Sequence, residues 1–142
     1  MKLNRFLNEA MQISAAVIIT NGRYFLIVHP TYKDFWEPPK GLIDGGEDPR
    51  KAAIRETEEE TGVKLHIDRL EDKGIFTLHS LKDVNLFVYK TFNLPDLKNM
   101  KCDSIAKTIN APEVDDYMYV TFNNYKKYVR PEFHKMIDGL EV

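Results

Sequence analysis

Gly41-Leu42-Ile43-Asp44-Gly45-Gly46-Glu47-Asp48-Pro49-Arg50-Lys51-Ala52-Ala53-Ile54-Arg55-Glu56-Thr57-Glu58-Glu59-Glu60-Thr61-Gly62-Val63 decides how this chain is read. Seven acidic residues stand between Asp44 and Glu60, with glycines before and after them. Asp48-Pro49 is a helix start, the aspartate as cap and the proline at the first helical position. The helix is predicted over 49–61, with Gly62 closing it in the left-handed region. Positions three and four apart share a helix face, so Glu56, Glu59 and Glu60 converge while Glu58 faces elsewhere. Carboxylates this concentrated repel one another unless a cation neutralises them. A partial set of hard oxygen ligands suits Mg²⁺, and Mn²⁺ can use the same site. Arg55 is placed to hold a carboxylate in a fixed direction, and Glu47, ahead of the helix, is its natural partner.

The plain alternative is a solvated acidic face that only favours helix formation. The flanking glycines and the Glu47–Arg55 pairing weigh against it. An EF-hand is excluded because the alternating oxygen ligands of its loop are missing. A zinc peptidase is excluded because no His-Glu-x-x-His occurs and the four histidines are scattered.

The rest of the chain sets the frame. Its 142 residues fit one domain, 1–142, with length enough for a hydrophobic core. Apolar content of 43% and charged content of 30% describe a soluble globular protein. No stretch approaches the roughly 20 apolar residues of a membrane span. Met1-Lys2-Leu3-Asn4-Arg5-Phe6 lacks the apolar core of a secretion signal, so a cytoplasmic setting is expected. A single cysteine, Cys102, excludes an internal disulfide and a thiolate metal site. The net charge of -2, without a basic stripe, weighs against gripping long nucleic acid by its backbone. It leaves room for a small nucleotide.

Strands are predicted at 12–19 and 23–28, joined by an Asn21-Gly22 hairpin, then at 65–70, 74–78, 85–92 and 117–122. Residues 29–46 read as an irregular approach to the helix, carrying Trp36 and Pro38-Pro39. Leu94 to Pro112 reads as a loop over the active face. A final helix is expected from Asn123 or Asn124, broken by Pro131, with Tyr125-Lys126-Lys127-Tyr128 on its surface. The sum is an α/β fold, a mixed β-sheet with helices on its faces.

The quoted segment resembles the signature box of the Nudix hydrolases: Gly, five residues, Glu, seven residues, Arg-Glu, an aliphatic residue, any residue, Glu-Glu, any residue, Gly, an apolar residue. Gly41, Glu47, Arg55, Glu56, Glu59, Glu60, Gly62 and Val63 fall in register with it. Thr57 departs from it, standing where an aliphatic residue is usual, which bears on packing more than on chemistry. The resemblance implies a Nudix-like α/β/α sandwich and a metal-dependent pyrophosphohydrolase. It implies Glu56 and Glu60 as metal ligands, Glu59 as a further ligand or base, and the Lys40 carbonyl as another ligand. Arg55 and Glu47 would orient the cluster, and the Lys40 side chain would meet phosphate. Glu113, in Pro112-Glu113-Val114 before a strand, matches a place where similar enzymes carry an extra metal-binding or base glutamate.

Trp36-Glu37-Pro38-Pro39-Lys40-Gly41 looks like the approach in asymmetric diadenosine tetraphosphate hydrolases, and is similar to that of RNA pyrophosphohydrolases. A nucleoside or dinucleoside polyphosphate is therefore the implied substrate, with an RNA 5′ end as the alternative. A non-catalytic nucleotide-binding module is a further alternative, weakened because every box glutamate is kept. Trp36, Phe76 and Tyr117 are the candidate base-contacting rings, with Tyr32, Phe35 and His79 behind them.

Overall fold

The computed structural model describes residues 12–79 and 82–142; the opening run read for a secretion signal lies outside them. Strand β1 (Gln12–Thr20) turns at Asn21-Gly22 into β2 (Tyr24–Pro30). The Asn21 side-chain oxygen accepts from the amides of Arg23 and Tyr24 at 3.0 and 2.9 Å, and Gly22 takes φ 95°. A short β3 (Lys40–Leu42) precedes helix α1 (Pro49–Thr61). Then come β4 (Leu70–His79), β5 (Lys82–Lys90), the small pair β6 (Ile105–Ala106) and β7 (Ala111–Pro112), β8 (Val114–Thr121), and helix α2 (His134–Asp138).

The main sheet runs β4-β5-β1-β2-β8, with β3 also on β1. β1 lies parallel to β5 from Gln12↔Lys82 to Thr20↔Lys90. On its other side β1 meets β2 only beside the hairpin, at Thr20↔Phe25, while β3 takes Ser14, Ala15 and Ala16. β2 turns away toward β8, and Glu37 bridges back to Val28. The segment 37–42 therefore spans the gap between two diverging strands. That gap holds the site.

Alternation along β1 feeds two cores, which is why its buried stretch from Ala15 to Ile19 is a continuous apolar run. Ala15, Val17 and Ile19 join Leu26, Phe87 and Tyr89 beneath Ala52 and Ala53 of α1. Ala16 and Ile18 join Phe25, Leu86 and Val120 beneath Tyr125, Phe133, Met136 and Ile137. Each fully buried Val, Ile, Leu or Phe contributes about 1.5–3 kcal/mol. The mixed sheet with a helix layer on each face is the expected α/β/α sandwich. Among the described residues no helix is long and apolar enough to cross a membrane.

Three expectations are corrected. Residues 65–69 form no strand; a 3₁₀ turn, Ile67–Arg69, leads into β4, which begins at Leu70 and also contains the expected 74–78 strand. The final helix is replaced by 3₁₀ turns Tyr125–Lys127 and Pro131–Phe133 before the short α2. Pro131 lacks the amide a continuous helix needs. Tyr125 is buried, and its hydroxyl donates to Asp138 and lies 3.0 Å from the His134 carbonyl. Against the expected loop over the active face, none of residues 94–111 lines the cavity that holds the carboxylates. They pack on the end of α1, where the Lys101 and Asp103 amides donate to the carbonyls of Thr61 and Glu59 at 3.1 and 2.7 Å. Helix-terminal carbonyls need such partners.

Candidate active site

Helix α1 starts with Asp48 accepting from the Arg50 amide at 2.8 Å and ends at Gly62, φ 77°. Its buried stripe is Ala52, Ala53, Glu56, Thr57, Glu60 and Thr61, so two carboxylates sit on the face that packs inward. Only a close backbone accommodates them. A Cβ at Gly41 would lie 2.0 Å from the Glu56 carboxyl carbon, so β3 passes here because that residue is glycine. The Lys40 amide donates to Glu60 Oε1 at 2.9 Å.

Arg55 organises the helix side of the cluster. Its Nε and Nη2 each donate to one oxygen of Glu47 at 2.9 Å, a bidentate pair. Nη2 also donates to the Leu42 carbonyl at 3.0 Å, and Nη1 to Glu56 at 2.7 Å, with Glu59 at 3.4 Å. The Arg55 guanidinium holds the Glu47 carboxyl below the usual carboxylate range. Burial pushes Glu56 up despite Arg55, and burial pushes Glu60 well up.

Glu113 arrives from the opposite edge. Its amide donates to the Ser104 carbonyl and its carbonyl accepts from Thr31, both at 3.0 Å, so the backbone is fixed from two sides. Oxygens of Glu56, Glu60 and Glu113 lie within 4.8 Å of one another. Two of these carboxylates are buried, and burial disfavours their charge. A bound cation would favour it. The donors are all oxygen, which fits Mg²⁺ or Mn²⁺.

The cluster lines a cavity of about 430 Å³, shared with Glu37, Glu59, Lys40 and Arg130. That size lies within the range of about 300–1,000 Å³ usual for small-molecule sites. Glu37 is buried, with Lys40 Nζ 3.4 Å from one oxygen and Arg130 Nη1 donating to the other at 3.2 Å. Sequence reading missed Glu37 and Arg130. Glu37 stood unremarked inside the quoted approach, and nothing local marks Arg130.

The candidate rings lie elsewhere. Trp36 packs against the core with its indole 5.1 Å from the His29 ring, and Phe76 packs on the same core face. Tyr117 packs on the α1 side and donates its hydroxyl to the Glu60 carbonyl at 2.5 Å. None of the three lines the cavity. Tyr32 is exposed at φ 67°, Phe35 lies under Arg130, and the His79 side chain is outside the described residues.

Comparison with known proteins agrees with this geometry. Residues 10–139 match the NUDIX domain family model. An RNA pyrophosphohydrolase of a Nitratiruptor species is 26% identical over 141 residues, covering 87% of this chain and 88% of the relative. A Caenorhabditis elegans asymmetrical bis(5′-nucleosyl)-tetraphosphatase is 50% identical over 40 residues, 28% of this chain and 29% of the relative. The solved structure of a C. elegans Ap4A hydrolase binary complex superposes with a TM-score of 0.65 at 23% identity, covering 88% of this chain and 92% of that one. With the glutamate helix in register and nearly the whole chain matched, the protein belongs to the Nudix family and is a pyrophosphohydrolase of that family.

Proposed function

We propose that the chain hydrolyses a phosphoanhydride bond in a nucleoside or dinucleoside polyphosphate, with a diadenosine tetraphosphate-like molecule favoured. One observation carries the reading: three carboxylates converge within 4.8 Å in a cavity that also holds Lys40 and Arg130. In this reading Glu56, Glu60 and Glu113 hold Mg²⁺, or Mn²⁺ in its place. The cation, when bound, offsets charge on the phosphate oxygens and lowers the pKa of bound water.

The protein's own residues do the rest. The Lys40 amide fixes one oxygen of Glu60, and Arg55 aims Glu56 while Glu47 holds Arg55 in place. Glu59 lines the cavity with a half-exposed carboxylate and serves as the base that takes the proton from attacking water. Glu113 is the alternative base in the arrangement where Glu56 and Glu60 hold the cation without it, its backbone fixed by Thr31 and Ser104. The Lys40 ammonium draws the phosphate chain into the cavity.

The C. elegans relative, by its name a dinucleoside tetraphosphatase, supports the favoured substrate. The relative named RNA pyrophosphohydrolase, similar over most of the chain, supports a 5′-triphosphorylated RNA end as the second reading. Anion-exchange analysis after incubation with Mg²⁺ and each substrate tests the choice. ATP plus AMP from diadenosine tetraphosphate supports the first. Pyrophosphate or phosphate from the RNA, with the dinucleotide intact, moves the protein to the second.

A further inference from the structure

The C-terminal segment is stitched to the approach segment by backbone. The Trp36 amide donates to the Tyr128 carbonyl and the Arg130 amide to the Trp36 carbonyl, both at 3.0 Å, around a parallel bridge between Trp36 and Val129. This registry places the Arg130 side chain beside Glu37, in the cavity that holds the carboxylate cluster. The guanidinium lies over the Phe35 ring, 4.4 Å from its centroid. Its Nε donates to Glu132 at 2.5 Å and its Nη1 to Glu37 at 3.2 Å. Nη2 makes no hydrogen bond to any other described residue.

The contact to Glu37 is long for a charge-assisted bond, which usually falls near 2.7–2.9 Å. Glu37 divides its two oxygens between Arg130 and Lys40, and neither is closely held. A buried carboxylate thus keeps two cations in the cavity without saturating either. The arrangement is a planar donor held over an aromatic face, with Nη2 not engaged by another described residue.

We propose that Arg130 is a specificity-determining residue that contacts a phosphoryl group beyond the pair being cleaved, and so selects for long polyphosphate chains. Glu37 is its positioning residue. The inference rests on the polyphosphate reading above and adds chain length to it. A guanidinium fork suits the oxygens of a terminal or bridging phosphoryl group better than an ammonium does.

The test is steady-state kinetics with diadenosine di-, tri-, tetra- and pentaphosphate for wild type, Arg130→Lys and Arg130→Gln, with thermal melts of each. For Arg130→Gln, KM with the tetraphosphate should rise about tenfold or more, the scale of a hydrogen bond to a charged group. The rise should be several-fold smaller with the shortest substrate cleaved, and kcat should move less than KM. Arg130→Lys keeps the charge and should recover part of the length preference, which covers the case in which Arg130→Gln does not fold. Equal losses at every chain length, or none, would overturn the role of Arg130 while leaving the hydrolase reading intact. Wild-type protein inert toward the whole series would sink the dinucleoside polyphosphate reading and this inference together.

Discussion

The Glu56 carboxyl group occupies the space a side chain at Gly41 would need, with only 2.0 Å between its carbon and a Cβ built there. Strand and helix carboxylate interlock at that point. Gly41→Ala must therefore push Glu56 or β3 aside. A displacement on the order of 1 Å at a reacting centre costs about 100-fold in rate, and a loss of at least that size in kcat/KM is expected. Overpacking should cost about 1–3 kcal/mol of stability. Assay and urea melt together check this; an active, fully stable variant would show that Glu56 relaxes freely.

Glu47 and Arg55 give a pH signature. The Arg55 guanidinium lowers the Glu47 carboxyl in the folded state, so its contribution exists above the unfolded value near 4.5. It is lost as pH falls through the lower folded value. Glu47→Gln should thus be less stable than wild type at pH 7, by on the order of 1 kcal/mol for a partly exposed bidentate pair. The gap should close on acidification. Denaturant melts from pH 7 down to about 3 measure it, and a gap that widens toward acid contradicts the assignment.

Thr57 is the departure from the family pattern, and its buried hydroxyl has no hydrogen-bond partner among the described residues. An unsatisfied buried hydroxyl costs about 1–3 kcal/mol, and valine has nearly the same shape. Thr57→Val should raise the unfolding free energy by about 1 kcal/mol and leave kcat/KM within about twofold. A destabilised variant would mean that the hydroxyl has a partner in solution.

Tyr117 reaches under α1 to the Glu60 carbonyl. If it positions the helix end, Tyr117→Phe should cost about 1 kcal/mol for the lost bond and lower kcat several-fold, with KM unchanged. A Tyr117→Phe protein with kcat and stability unchanged would contradict that role.

Local signals announced what local physics decides. The α1 limits, its Asp48 and Gly62 caps, the Asn21-Gly22 turn and the Arg55–Glu47 pair were all legible, because each depends on residues close in sequence, at most eight apart for Glu47 and Arg55. Helix spacing predicts that Glu56, Glu59 and Glu60 converge; Glu56 and Glu60 do, while Glu59 lines the cavity outside the group of carboxylates within 4.8 Å of one another. Glu113 came from resemblance alone; no spacing rule links it to α1 across the sheet. Arg130 and Glu37 meet only because a backbone bridge joins Trp36 to Val129, and single-sequence patterns carry no signal for such a pairing. The final helix was misread because amphipathic spacing at 125–128 suits a 3₁₀ turn with a buried tyrosine equally well.

In the proposed function the carboxylate cluster hydrolyses a phosphoanhydride with a bound divalent cation. Its most direct test is a Mg²⁺ titration of product formation from diadenosine tetraphosphate and from 5′-triphosphorylated RNA, for wild type and Glu60→Gln. Glutamine keeps an oxygen for the Lys40 amide but removes the charge. Saturable Mg²⁺-dependent turnover of one substrate is expected, with a loss of at least about 100-fold in the variant, since metal-held charge stabilisation is worth several kcal/mol. Turnover without divalent cation, or undiminished in Glu60→Gln, would contradict it.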